Sequence, residues 1–323
     1  NLELTRSMMT GYKKHSLLWV IDKTKTAPGK RMLRSWLERP LINVSKITKR
    51  QNAVGELFDS TMLRDEIRGA LSGINDMERL MSRIAYSTAN AKELRSLSAT
   101  IGALPVIKNS LSTVSTAMLK SIYENIDLLD DVKTLIESAI VDEPPFSVRE
   151  GGLIKSGYNA EIDELKDIVQ GGANLLAEIE AREKEKTGIP KLRVSYNKVF
   201  GYFIEVTNAY KDMVPPEYIR KQTLTNCERF ITQELKDLEG KMLGAKDRLI
   251  ALEYDVFTAV RSQIAGEVER IQRTAKALAT LDSLASLAQV AFENNYCCPQ
   301  ITTDGVIDIK DGRHPVVETL LDD

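Results

Sequence analysis

Eight apolar residues between Leu235 and Ala259 recur at alternating steps of three and four: Leu235, Leu238, Met242, Ala245, Leu249, Leu252, Val256 and Ala259. A heptad seam of this kind demands a helix with a second helix lying along it. No proline occurs from Glu217 to Cys298, so the helix can run unbroken from about Thr232 to Ile271. At 1.5 Å per residue that is a rod of roughly 40–60 Å. A partner is at hand upstream. Ile162, Leu165, Ile168, Val169, Leu175, Leu176 and Ile179 form a helical stripe from Asn159 to about Lys186. That stripe predicts a helix roughly 40 Å long. Glu180 to Lys186 alternates charges as an exposed helical surface does, and Gly188 and Pro190 stop the helix.

The texture changes between the two rods. Leu192 to Tyr196 and Gly201 to Val206 alternate with period two and are rich in β-branched and aromatic residues. Asn197 to Phe200 suits the hairpin loop between them, and Pro215-Pro216 ends the strand region. Lys221 to Asn226 reads as a further short strand or a loop. The simplest topology is mainly α: long antiparallel helices with a small antiparallel β insert at their distal end. Elsewhere Leu33 to Leu135 carries helical spacing, with Pro28 and Pro40 bracketing one helix and Asn43 or Ser45 capping the next. Ala277, Leu278, Leu281, Leu284, Leu287, Ala288 and Ala291 mark a small-residue helix suited to close packing. After Pro299, Ile301, Val306, Ile307 and Ile309 read as strands opening another domain, and both chain ends read as cuts.

With 43% hydrophobic and 28% charged residues, the chain of 323 has the profile of a soluble globular protein of two or three domains. No apolar run approaches the roughly 18 residues of a membrane span. Cys227, Cys297 and Cys298 include no CxxC, and the vicinal pair makes a poor disulfide. Free thiols favour a reducing, cytoplasmic setting. His15 and His314 lie far apart, so no zinc or other metal site is expected. The net charge of −2 excludes a uniformly basic coat but not a local patch. From Lys191 to Phe230 seven cations (Lys191, Arg193, Lys198, Lys211, Arg220, Lys221, Arg229) face four anions (Glu205, Asp212, Glu217, Glu228). On charge alone, such a stretch more often describes an ordinary solvated surface.

Five runs bear a wider resemblance. Lys25-Thr26-Ala27-Pro28-Gly29-Lys30-Arg31-Met32-Leu33, continuing to Leu41, and Arg149-Glu150-Gly151-Gly152-Leu153-Ile154-Lys155-Ser156-Gly157-Tyr158-Asn159 resemble two signatures of the lever domain of the bacterial-type MutS family of DNA mismatch-repair proteins. Phe200 to Val206 and Arg220 to Phe230 resemble its DNA clamp, and Asp311 to Glu318 is similar to the segment that opens its ATPase domain. The resemblance covers essentially the whole chain in the family's order. It implies a first lever part over 1–178, a β-rich clamp over 179–232, a second lever part over 233–299 and a truncated ATPase start over 300–323.

The resemblance also implies a dimer, formed with a second copy of the chain or a related one, that closes around duplex DNA. A MutL-type repair partner is implied too, with ATP and magnesium serving the full-length protein. The DNA-backbone contacts would come from Asn197, Lys198, Lys221, Thr223, Asn226 and Arg229. Lys and Arg neutralise phosphates while Asn and Thr donate hydrogen bonds, and neither use needs a base edge. Phe203-Ile204-Glu205 spells the family's mismatch-reading Phe-x-Glu but falls inside a clamp strand, which makes it structural. No G-x-x-x-x-G-K-[ST] loop occurs: Gly29-Lys30 is followed by Arg31 and Gly240-Lys241 by Met242. No ATPase site, catalytic residue or cofactor is therefore expected within these residues. His314 reads as part of a strand turn, Cys297-Cys298 as a buried or semi-buried helix end, and Trp19 and Trp36 as core anchors. The clamp aromatics read as the small core of the sheet. The alternative function is a coiled-coil interaction module with no DNA binding of its own, suggested by the seam itself.

Overall fold

The computed structural model describes residues 3–8, 10–197, 199 and 201–321. The chain divides into two compact units, one of Asn1–Glu137 with Val260–Asp323, the other of Ser138–Ala259. In chain order the helices are α1 (Leu17–Ile21), α2 (Ala27–Glu38), α3 (Val44–Asp59), α4 (Thr61–Leu71), α5 (Met77–Ala85), α6 (Ala91–Ser110), α7 (Ala117–Asn125) and α8 (Asp130–Ala139). Then follow α9 (Ala160–Thr187), α10 (Gln233–Gly266), α11 (Val268–Glu293) and α12 (Pro315–Leu321). Strands β1 (Arg193–Asn197), β2 (Gly201–Thr207), β3 (Ile219–Thr223) and β4 (Cys227–Ile231) lie between α9 and α10. The fold is mainly α with one small β insert, as the periodicity predicts. Among the described residues no helix is long and apolar enough to cross a membrane.

The first unit is built around α11, which is buried on nearly every side and packs against α2, α3, α4, α5 and α7. Its Ala and Leu positions allow that close approach, and its few buried polar groups act as clasps. Asp282, wholly buried, accepts from the backbone amides of Lys25 (2.9 Å) and Thr26 (2.8 Å) and from Thr26 Oγ1 (2.7 Å). Thr26 Oγ1 in turn accepts from the Gly29 amide, the N-cap bond of α2. Gly29 is required here by close approach: a Cβ would lie 2.7 Å from Asp282 Cγ. The Lys25–Lys30 signature is thus a helix start fitted onto a buried carboxylate, whose pKa burial pushes up. Asn43, not Ser45, caps α3 through the Lys46 amide at 3.0 Å. Trp19 and Trp36 are only half-buried, and Trp36 lies under the Arg50 guanidinium at 3.6 Å.

Three expectations for the C-terminal segment are corrected. Residues 301–314 form no strand, and Val306, Ile307 and Ile309 are exposed. A strand needs a neighbour to receive its amides and carbonyls, and none lies beside this segment among the described residues. His314 sits in no strand turn: its Nδ1 accepts from the Val316 (3.3 Å) and Val317 (3.2 Å) amides at the start of α12. Cys297 and Cys298 are exposed rather than buried or semi-buried, because α11 ends at Glu293 before reaching them.

In the second unit α9 and α10 pair antiparallel, with Glu161 facing Arg248, Gly172 facing Met242 and Arg182 facing Glu234. Their lengths, 28 and 34 residues, correspond to about 42 and 51 Å. Gly188, in the left-handed conformation, ends α9 as expected. The apolar stripes need revision. On α9 Ile168 and Leu175 are exposed, while Ile162, Leu165 and Ile179 are buried. On α10 the seam holds through Leu235, Met242 and Ala245, then rotates: Glu253, Phe257, Val260 and Ile264 are buried and Ala259 is exposed. A straight helix drifts about 20° per heptad from a 3.5-residue repeat, so a strict heptad overshoots its own contact face. The helix also stops at Gly266, with α11 beginning afresh at Val268, instead of continuing to Ile271.

Glu253 explains the second signature. Its side chain, wholly buried, accepts from the amides of Gly152 (2.5 Å), Leu153 (3.4 Å) and Ile154 (3.4 Å). Lys166 approaches it to 3.7 Å and donates to the Ile154 carbonyl at 2.6 Å. The Gly151–Ile154 loop is therefore wrapped around a carboxylate from α10 and tied to α9.

Candidate nucleic-acid interface

The four strands form one antiparallel sheet in the order β1-β2-β4-β3. Alternation assigns its faces. Val194, Ile204, Val206 and Phe230 turn toward Ile179 of α9 and Leu235 of α10, closing a small core with Ile189, Leu192 and Tyr218. Because those helix residues lie at the α9 C-terminus and α10 N-terminus, the sheet sits at the end of the helix pair. Glu180 accepts from the Val194 amide at 2.9 Å, and Glu239 accepts from the Tyr202 amide at 3.3 Å. Two helix carboxylates thus hold the first hairpin. The Lys184 ammonium and the Val194 amide keep the Glu180 carboxyl below its usual range. Gly201, at φ +74°, turns the chain where any Cβ would collide with the Glu239 carboxylate.

The segment before β3 is tied down by a buried pair. Tyr218 donates its hydroxyl to Glu183 Oε2 at 2.5 Å, and both residues are less than a tenth exposed. Burial and the neighbouring carboxylate push the Tyr218 pKa well up, so the phenol stays a donor. Tyr218→Phe should cost about 1–3 kcal/mol, because Glu183 remains buried with its best donor gone. Urea unfolding followed by hydrogen exchange over residues 176–235 measures this, and an unchanged midpoint refutes it.

The opposite face carries a row of cross-strand neighbours: Arg193, Glu205, Arg229 and Gln222. Arg229 donates to Glu205 (3.1 Å) and Gln222 (2.9 Å), and its guanidinium lies 4.4 Å from the Phe203 ring centre. This residue is thus engaged within the sheet, 21% exposed. Lys221 stands differently. It occupies the register shift between Arg220 and Gln222, is exposed, and forms no ion pair among the described residues. Thr223 ends β3 and is exposed; Asn226 lies exposed in the turn to β4, its carbonyl accepting from the Asn208 amide at 3.1 Å. Asn197 ends β1, and its Oδ1 accepts from the Val199 amide at 2.8 Å, an Asx turn that shapes the hairpin. Lys198 and Phe200 lie outside the described residues.

The register separates these candidates. Asn197 pairs with Gly201 at one end of β2, whereas Thr223 shares a row with Val206 and Glu228 near the other. The two positions are five residue steps apart along β2, about 17 Å. One compact site cannot include both, but a surface tracking a long polymer can. Lys191, Arg193 and Lys211, not among the contacts expected from the sequence, are all exposed; Lys191 and Lys211 pair with no carboxylate among the described residues, Arg193 lies across from Glu205 and helps lower the Glu180 pKa, and Arg220 is paired with Glu228 at 3.2 Å. Glu180 and Glu239 were not expected either, because no local motif marks them. Of the aromatics, Phe203 is buried, and Tyr196, 49% exposed, lies tilted against Tyr202 with ring centres 5.0 Å apart. Phe203-Ile204-Glu205 lies within β2, with Glu205 occupied by Arg229.

Comparison with known proteins agrees with this architecture. The family described as MutS domain III matches residues 1–288. The DNA mismatch repair protein MutS of Lachnoclostridium phytofermentans is 53% identical over 321 residues, covering 99% of this chain and 34% of its own length. Proteins of the same name from Desulforamulus reducens and Symbiobacterium thermophilum are 51% and 49% identical, over 98% and 100% of this chain and 37% of each relative. The chain thus spans about a third of the length of these curated relatives. With the family match extending through the sheet and both long helices, and relatives about half identical over nearly the whole chain, the chain belongs to the MutS family.

Proposed function

We propose that this chain serves DNA mismatch repair by holding duplex DNA through its backbone, without reading sequence. The observation that carries the proposal is the sheet at the end of the α9–α10 pair, with the exposed cations Lys191, Lys211 and Lys221, which pair with no carboxylate among the described residues, and the exposed Arg193 around it. Lys198, Lys221, Arg229, Asn197, Thr223 and Asn226 remain the proposed contacts. Arg229 serves chiefly by ordering the row that carries its neighbours. Such a spread of phosphate ligands suits a protein that must grip any duplex. On this reading, 1–178 and 233–299 form the lever, 179–232 forms the clamp, and 300–323 leads into an ATPase domain. The lever couples the clamp to that domain, which binds ATP and magnesium. The working assembly is a dimer in the cytoplasm, served by a MutL-type partner.

If three or four phosphates are neutralised, log K should fall against log salt with a slope of about −3 to −4. Lys198→Glu with Lys221→Glu, placed in the full-length dimer, should weaken matched and mismatched duplex alike and flatten the slope by about 2. Fluorescence anisotropy at two salt concentrations reads both quantities. Unchanged affinity and slope would place the contacts elsewhere, and salt-insensitive association with a protein partner would favour the interaction-module reading.

A further inference from the structure

We propose that the pocket between the N-terminal loop and α2, in the first unit, is a binding site for a polyphosphate group. The cavity measures about 660 Å³ and is lined by basic residues from three elements. The loop contributes Arg6 and Lys13, α2 contributes Lys30, Arg31 and Arg34 from one face, and the first turn of α5 contributes Arg79. No acidic residue lines it among those described.

The carboxylates lie behind the cations and are shared. Asp22 serves both Lys13 and Lys30, the latter at 3.8 Å. Asp76 serves both Arg31, at 2.7 Å, and Arg79, at 3.5 Å. Glu78 adds a second partner for Arg31, and Glu38 pairs with Arg34. Five cations therefore share four carboxylates, and the sixth, Arg6, is exposed and forms no ion pair among the described residues. Fixing cations by carboxylates on one side leaves their remaining donors aimed at the other, the arrangement that presents guanidinium forks to phosphate oxygens.

Size selects the ligand. A concavity of a few hundred cubic ångströms encloses a small molecule, whereas a rigid duplex needs an open strip. The surplus of positive charge calls for a multiply charged anion. Tyr12, 75% exposed at the same pocket, offers a ring on which a nucleobase can stack. The shared chemistry is the polyphosphate, carried either by a nucleoside triphosphate or by an inorganic chain.

The test titrates the 323-residue chain by calorimetry with inorganic tripolyphosphate and, separately, with ATP. Saturable binding of one tripolyphosphate per chain is expected, weakened about tenfold or more by Lys30→Glu with Arg34→Glu, since each reversal removes a phosphate contact. If that pair unfolds the chain, Arg6→Glu with Arg79→Glu asks the same question from exposed positions. Tyr12→Ala weakening ATP alone identifies the ligand as a nucleotide; equal affinities throughout identify it as inorganic. The proposal is overturned if the folded chain takes up no tripolyphosphate, if both charge-reversal pairs bind it undiminished, or if an acidic peptide displaces it more effectively than ATP.

Discussion

Glu253→Ala is expected to lower the stability of the second unit by about 3–5 kcal/mol, the usual consequence of leaving the partners of a buried ion without it. Three backbone amides, from Gly152, Leu153 and Ile154, converge on this carboxylate, with Lys166 beside it. Removing it strands the amides of Leu153 and Ile154, both in buried residues, while Gly152 and Lys166 can turn to water. Glu253→Gln keeps the shape but presents an amide NH₂ to N–H donors, so it should recover only part of the loss. Hydrogen exchange distinguishes a local from a global effect, since both tryptophans, Trp19 and Trp36, belong to the first unit. Protection should collapse over 150–170 and 245–257 while the tryptophan unfolding transition stays in place. A loss below about 1 kcal/mol would mean that the loop finds other acceptors.

The second large effect belongs to the first unit. Gly29→Ala should cost about 3 kcal/mol, combining overpacking with displacement of the Asp282 bonds. Asp282→Ala should cost about as much for the opposite reason, leaving the Lys25 and Thr26 donors unpaired. The two changes should not add. With the Asp282 carboxylate gone, an added Cβ at position 29 loses its contacts with Oδ2 and Cγ but still meets the Cβ of residue 282 at 2.8 Å, so Gly29→Ala should cost less in the Asp282→Ala background than in the native one without becoming neutral. A double-mutant cycle followed by tryptophan fluorescence gives the coupling directly. Additive losses would show that Gly29 is needed for something other than closeness to Asp282.

These clasps mark the limit of what residue patterns reveal. Periodicity located both long helices and the strands between them, because those signals repeat locally over many residues. It failed where a partner outside the window decides the outcome. The rotation of the α10 stripe onto Glu253 and Phe257 depends on which neighbour the helix meets, and a buried acid on an apolar face breaks the pattern that would announce it. Ile307 and Ile309 alternate like strand residues, yet a strand exists only when something pairs with it. At the sheet, residue type and charge singled out Lys221 and Arg229 alike. Only the register distinguishes a bulged, unpaired lysine from an arginine held by Glu205 and Gln222.

The irregularity at Lys221 has a further consequence for the sheet as a whole. β3 lies at one margin of the sheet, with a row of main-chain groups that another chain could copy. An extra residue there twists the margin and interrupts its hydrogen-bonding repeat, while Arg220 and Lys221 set like charges against the same strand of a second molecule. Copies of the chain meeting edge to edge would thus be kept from zipping together into a continuous ribbon, so the irregularity that bares a cation also works against fibril growth.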